Sequence, residues 1–142
     1  MRFLFLPAAL AAVATGLTFE PITVRASDWL TFRGPGRTAV APDTDLLKAW
    51  PDDGPPLVWE AAGAGRGYAS LAIAGSRIFT LGDGLSTAAD ADEYLSCFDR
   101  TTGTQLWKTK TGGPWTDGQE SWQSSRSTPT VDGDTVYVLT PF

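Results

Sequence analysis

Apolar and polar positions alternate in short runs broken by glycine turns, and one such phrase occurs twice. Ser70–Leu81 (SLAIAGSRIFTL) and Thr128–Leu139 (TPTVDGDTVYVL) align without a gap when Gly75 is set on Gly133, 58 positions apart. Ile73 then meets Val131, Ile78 meets Val136, Phe79 meets Tyr137 and Leu81 meets Leu139. Period-two alternation around a glycine predicts a β-hairpin, and recurrence at a fixed spacing predicts a repeat architecture.

A second hairpin lies between the copies. Tyr94–Phe98 (YLSCF) reads as a strand, 99–103 (DRTTG) as a turn and Thr104–Thr109 (TQLWKT) as a further strand. Asp99 can accept hydrogen bonds from backbone N–H groups two and three residues on, and Gly103 can take the positive φ that closes the turn. Strict alternation puts Trp107 on the same face as Gln105 and Thr109. Two hairpins in series form a four-stranded antiparallel meander, the blade of a β-propeller. The expected fold is therefore all-β, with strands at 66–73, 77–82, 94–98 and 104–109 forming one blade (66–109). A second blade begins with strands at 126–131 and 135–140 (126–140).

The run from Cys97 to Trp107 (CFDRTTGTQLW) resembles the signature of the pyrroloquinoline-quinone-type (PQQ-like) propeller repeat. That signature is a small residue, an apolar residue, Asp, two variable positions, Thr-Gly, three variable positions and Trp. Asp99, Thr102, Gly103 and Trp107 all match it. Residues 56–61 (PLVWEA) resemble an outermost strand with its own Trp59, of the kind that closes the ring of a propeller in this family. Residues 28–37 (DWLTFRGPGR) resemble the start of exported bacterial members. The resemblance implies an exported protein of about seven or eight blades. We accordingly expect this chain to be an N-terminal part of a longer propeller, covering about one and a half blades plus a closing strand.

The first residues read as an address. Met1-Arg2 is followed by 15 apolar-rich residues, Phe3–Leu17, too few for a membrane span of roughly 20. Val24-Arg25-Ala26 offers the small residues a signal peptidase needs before Ser27, and 12–14 (AVA) offers a second site. The expected organisation is a signal peptide over 1–26, a lead-in over 27–56 and a partial propeller over 57–142, with export to the periplasm or the extracellular space and no transmembrane span after cleavage. Residues 83–93 (DGLSTAADADE) read as a solvated acidic loop, and 111–125 as a long Gly-rich connection between blades.

Composition narrows the chemistry. The formal net charge is −5, and −6 once Arg2, Arg25 and Glu20 leave with the leader, which disfavours nucleic acid as a partner. There is no histidine, so imidazole-based zinc sites, His-activated nucleophiles and His-ligated haem have no candidate. The single cysteine, Cys97, cannot form an internal disulfide and reads as a buried strand thiol.

Each candidate for chemistry has a structural reading beside it. Trp59 and Trp107 could stack on a flat quinone, but their place in the repeat favours packing between blades. Asp99 could be a base, but its turn context favours local hydrogen bonding. Gly75 and Gly133 are turn residues. Asp90, Asp92 and Glu93 lack the spacing of a calcium loop. Trp115, Trp122 and Arg126 lie on or beside the long connection, where an arginine fork with aromatics could hold an anion; Arg66-Gly67-Tyr68 repeats the basic-plus-aromatic pattern before the first blade.

Two functions follow from the resemblance. The first is a non-catalytic binding or assembly scaffold for envelope or secreted proteins, like the family's outer-membrane assembly factor, with no cofactor evident. The second is a PQQ-dependent alcohol dehydrogenase using Ca²⁺ and an Asp base. The residues favour the scaffold. Family dehydrogenases often carry a vicinal cysteine pair, and Cys97 stands alone. The scaffold relatives usually carry a lipid-bearing cysteine directly after the leader, where this chain has Ser27 or Thr15.

Overall fold

The computed structural model describes residues 26–84, 92–119 and 123–142. The leader expected over 1–26 lies outside them, apart from Ala26. Six strands form two antiparallel sheets with almost no helix. Strands β1 (Ala72–Ala74), β2 (Arg77–Asp83), β3 (Glu93–Asp99) and β4 (Gln105–Gly112) make a sheet in the order β1-β2-β3-β4, and β5 (Thr130–Asp132) pairs with β6 (Thr135–Tyr137). The only helical element among the described residues is a 3-10 turn at Pro35–Arg37. No helix among them is long and apolar enough to cross a membrane.

The duplicated phrase folds as duplicated hairpins. Ile73 pairs with Ile78 and Val131 with Val136, in the same register. Both loops have two residues and begin with a glycine at φ 55, the position where a type II′ turn demands glycine. The first strand is shorter than expected, because Arg66 and Gly67 leave its line. Arg66 bridges to Asp83 and Gly67 to Ser125 instead.

One face of the four-stranded sheet is apolar and the other mixed, with Thr80, Ser96 and Lys108 beside its apolar residues. On the first, Ala72, Phe79, Cys97 and Trp107 form a continuous row across all four strands, beside Leu81 and Leu95. Val131 of the second hairpin closes over this row as part of the same buried core. The Phe79 and Trp107 rings lie 5.9 Å apart, and Trp107 remains 37% exposed. On the other face Ile78 and Phe98 are buried. Burial raises the pKa of the Cys97 thiol, so it behaves as a small apolar residue.

One face assignment differs from simple alternation. The β3–β4 ladder shifts register between Cys97 and Phe98, pairing Cys97 with Trp107 but Phe98 with Gln105. The extra residue, Leu106, is a bulge that turns Gln105 to the opposite face from Trp107. Gln105 Nε2 accordingly reaches Ser96 Oγ and the Gly63 carbonyl, each at 3.4 Å.

The second face is covered by the chain that enters the sheet. Residues 56–61 form no ladder; they deliver Trp59 to the β3–β4 turn. The Trp59 indole N–H donates to the Arg100 carbonyl at 3.1 Å, and its ring lies where a Cβ on Gly103 would stand 2.5 Å away. Gly103 has φ 71. The turn is thus held in left-handed geometry and left bare so that the indole can seat on it.

The two sheets converge at β1 and β5, and a segment near the N-terminus is stitched into that convergence. Trp29 exchanges both backbone hydrogen bonds with Ile73 at 2.8 Å, and the Leu30 carbonyl accepts from Val131 N–H at 2.8 Å. Thr31 and Thr130 hydroxyls meet at 3.0 Å. Asp28 anchors the start, accepting from Gly75 N–H at 3.1 Å and pairing with Arg100.

Gly103→Ala should cost about 2 kcal/mol or more, of which about 1 kcal/mol is backbone strain and the rest collision with the indole. In a Trp59→Ala background only the strain should remain. Urea unfolding of the intact gene product, read as a double-mutant cycle, checks this; a coupling energy near zero would mean that the indole does not seat on the glycine.

Candidate functional site

Residues with chemistry gather at the end of the sheet opposite the Gly75 and Gly103 turns. There β2 ends at Asp83 and β3 begins at Glu93, directly across the ladder. Both are 1% exposed. This corrects the reading of 83–93 as a wholly solvated loop: its two ends are buried strand residues. Like charges facing each other across a ladder repel, so each carboxylate needs its own compensation.

Asp83 has a full set of partners. Arg66 grips it through a fork, Nε to Oδ1 and Nη2 to Oδ2, both at 3.0 Å, and Ser124 Oγ donates to Oδ2 at 2.8 Å. The backbones of Arg66 and Asp83 also exchange hydrogen bonds. Ser124 holds φ 79, an uncommon conformation for serine, fixed by its hydroxyl on Asp83 and its N–H on the Trp115 carbonyl at 2.9 Å. Glu93 Oε1 accepts from Thr111 Oγ1 at 3.0 Å. Asp92 points elsewhere, to Lys110 at 2.8 Å, a contact that raises the lysine pKa. Asp90 lies outside the described residues.

Between the two sheets at this end is a cavity of about 420 Å³, lined by Glu93, Trp115, Ser124, Arg126, Ser127 and Leu139 among others. Its size falls within the range of small-ligand pockets. The structure brings Trp115 and Arg126 to this one cavity; Trp122 lies outside the described residues. Neither aromatic face nor cation stands idle. Trp115 stacks on Phe142, with centroids 6.3 Å apart, and the Arg126 guanidinium lies 4.7 Å over the Tyr68 ring. The two basic-plus-aromatic segments noted in the sequence, 66–68 and 126, therefore meet each other.

Phe142 takes one face of the Trp115 ring, and the buried Glu93 carboxylate and the Arg126 guanidinium line the same cavity. Among the described residues no three Asp, Glu or Cys side chains are grouped to hold an ion.

Asp99 lies at the other end, in the turn. Its Oδ1 accepts from Thr102 N–H at 2.8 Å, Thr101 N–H at 2.9 Å and Thr102 Oγ1 at 3.1 Å. These donors, Thr102 N–H foremost, hold its pKa below the ordinary carboxylate value. A general base works best with a pKa near the working pH, and Asp99 is displaced the other way.

The profile of one protein family, described as outer membrane protein assembly factor BamB, matches residues 19–141 of the chain. No curated protein and no solved structure matches it.

Arg66→Leu is expected to destabilise by about 3 kcal/mol, since it strands a buried carboxylate. Asp83→Asn should cost less, about 1–2 kcal/mol, because the guanidinium left behind already meets water. Thermal melts of the two variants order these effects, and a larger loss from Asp83→Asn would contradict the assignment. A folded-state pKa below the unfolded value near 3.8 makes the Asp99 contribution complete above that value and lost as pH falls through the lower one. The acid limb of the stability profile, read between about pH 5 and pH 2, should flatten in Asp99→Asn.

Proposed function

The chain belongs to the family of the outer membrane protein assembly factor BamB, the PQQ-like propeller repeat proteins, and on that premise we propose that it acts as an exported, non-catalytic scaffold that binds other proteins of the cell envelope. The observation that supports this reading is the seat of residues 28–31, whose backbone pairs with Ile73 and Val131 and joins the two sheets, so that this edge serves assembly of the chain itself. The carboxylates nearby have structural duties as well. Asp83 is gripped by Arg66 and Ser124, and Asp99 closes a turn.

The surface supports a macromolecular partner. Along the lead-in, Leu46, Leu47 and Trp50 all stand in solvent, Leu47 at 73% and Trp50 at 67% exposed. Large apolar side chains exposed in succession favour docking to another protein surface. The chain's net negative charge argues against nucleic acid or anionic lipid in that role. The competing reading, a quinone-dependent alcohol dehydrogenase, would have to use the cavity at Trp115 and Arg126.

Intact protein recovered from the envelope fraction, titrated with PQQ and Ca²⁺, should give no saturable change in quinone absorbance. It should also give no turnover of alcohols with an artificial electron acceptor. Turnover would overturn the scaffold reading. A photo-crosslinker at position 47 or 50 in cells should yield discrete adducts with envelope proteins, and their absence would count equally against it.

A further inference from the structure

Resting on the export reading above, we infer that removal of the leader before Ser27 is itself a structural step: the α-ammonium it frees is captured by Asp43 and fastens the segment that joins the two sheets. The geometry is already in place. Ser27 N–H donates to Asp43 Oδ1 at 2.7 Å, and the Ser27 hydroxyl donates to the same oxygen at 3.0 Å. Asp43 lies 16 residues further on, in the irregular lead-in, and nothing in the local sequence requires it to return to this point. One residue later Asp28 is fixed to the β1–β2 turn, and Trp29 enters the β1 edge. Position 27 thus lies directly before the segment that joins the two sheets.

Hydrolysis of the Ala26–Ser27 bond adds water across it. The hydroxyl goes to the Ala26 carbonyl carbon, which leaves with the leader as a carboxylate, and the Ser27 nitrogen becomes an amine, protonated at neutral pH. A neutral amide donor facing Asp43 is thereby replaced by a cation with three donors, and a charge-assisted bond is stronger than a neutral one. Val24 and Ala26 supply the small side chains such a cut requires. The Ala26 carbonyl now accepts from Arg100; that contact departs with the leader, while Arg100 keeps Asp28 at 3.5 Å and the Gly75 carbonyl at 3.2 Å.

The charged groups facing the new terminus are Asp43 and Asp28, which favour the ammonium, and Arg100, which opposes it. The Asp43 carboxyl already has a lowered pKa, chiefly through the Ser27 N–H and then its hydroxyl. An ammonium at the same place raises its own pKa above the ordinary α-amino range of roughly 7.7–8.0. The sign follows from that. The stabilisation is complete below the unfolded amine pKa and is lost as pH rises through the higher folded value.

The test starts from the intact gene product, leader included, recovered from the envelope and read by N-terminal sequencing and mass. The expected terminus is a free Ser27. Its α-amine pKa, from the pH dependence of acylation, should lie about half a unit above the ordinary range and return to it in Asp43→Asn. A version made without the leader, in which Ala26 is retained ahead of Ser27, should show an ordinary α-amine indifferent to Asp43→Asn. Matching circular dichroism spectra verify that the variants fold alike. A protein kept in the cytoplasm with Met1 intact would remove the export reading itself. An exported protein that begins elsewhere, or a Ser27 amine unmoved by Asp43→Asn, would overturn this inference and leave export standing.

Discussion

A sheet that buries Phe79 and Cys97 on one side and Ile78 and Phe98 on the other must find a neighbour for each side. The outer strand β4 is left to solvent, but the apolar residues of β2 and β3 are not, since apolar surface left wet costs about 25 cal/mol for each Å². The remaining architecture answers that demand. The second hairpin lays Val131 on the first side. Residues 59–65 cross the second, from the Trp59 indole on the Gly103 turn to Ala64 and Gly65 against Gly82, before Arg66 pairs along the edge of β2 with Asp83. The edges follow: residues 28–31 pair with β1 and reach β5, where the two sheets meet. A blade of this family is stable through what stands beside it.

Polar groups at the sheet ends act as fasteners for the same purpose. At one end a turn carboxylate, Asp99, organises three donors so that Gly103 presents a bare surface to an indole. At the other, Asp83 and Glu93 face one another across a ladder, an arrangement tolerable only because Arg66, Ser124 and Thr111 are brought to them. The cavity at Glu93, Trp115 and Arg126 is bounded by side chains engaged with Thr111, Phe142 and Tyr68 respectively.

Much of the architecture was legible from local spacing. The hairpins at Gly75 and Gly133 recur in register because alternation and turn chemistry are properties of a few consecutive residues. The Asp99–Gly103 turn is legible for the same reason, since its donors and acceptor lie within four positions. The joint gathering of Trp115 and Arg126 was only half legible. Their loop position suggested a site, yet their partners, Phe142 and Tyr68, come from 27 and 58 residues away.

By itself, then, the order of residues determined that this chain makes twin β-hairpins, a glycine-closed turn and blades of a known repeat family. Only the tertiary structure decided that Leu106 bulges and sends Gln105 to the far face, that Asp83 and Glu93 are buried, and that residues 28–31 lie between two sheets. The reason is range. A turn is set by neighbours in sequence, whereas a bulge, a buried charge and a borrowed strand edge are set by which distant segments the apolar faces draw together.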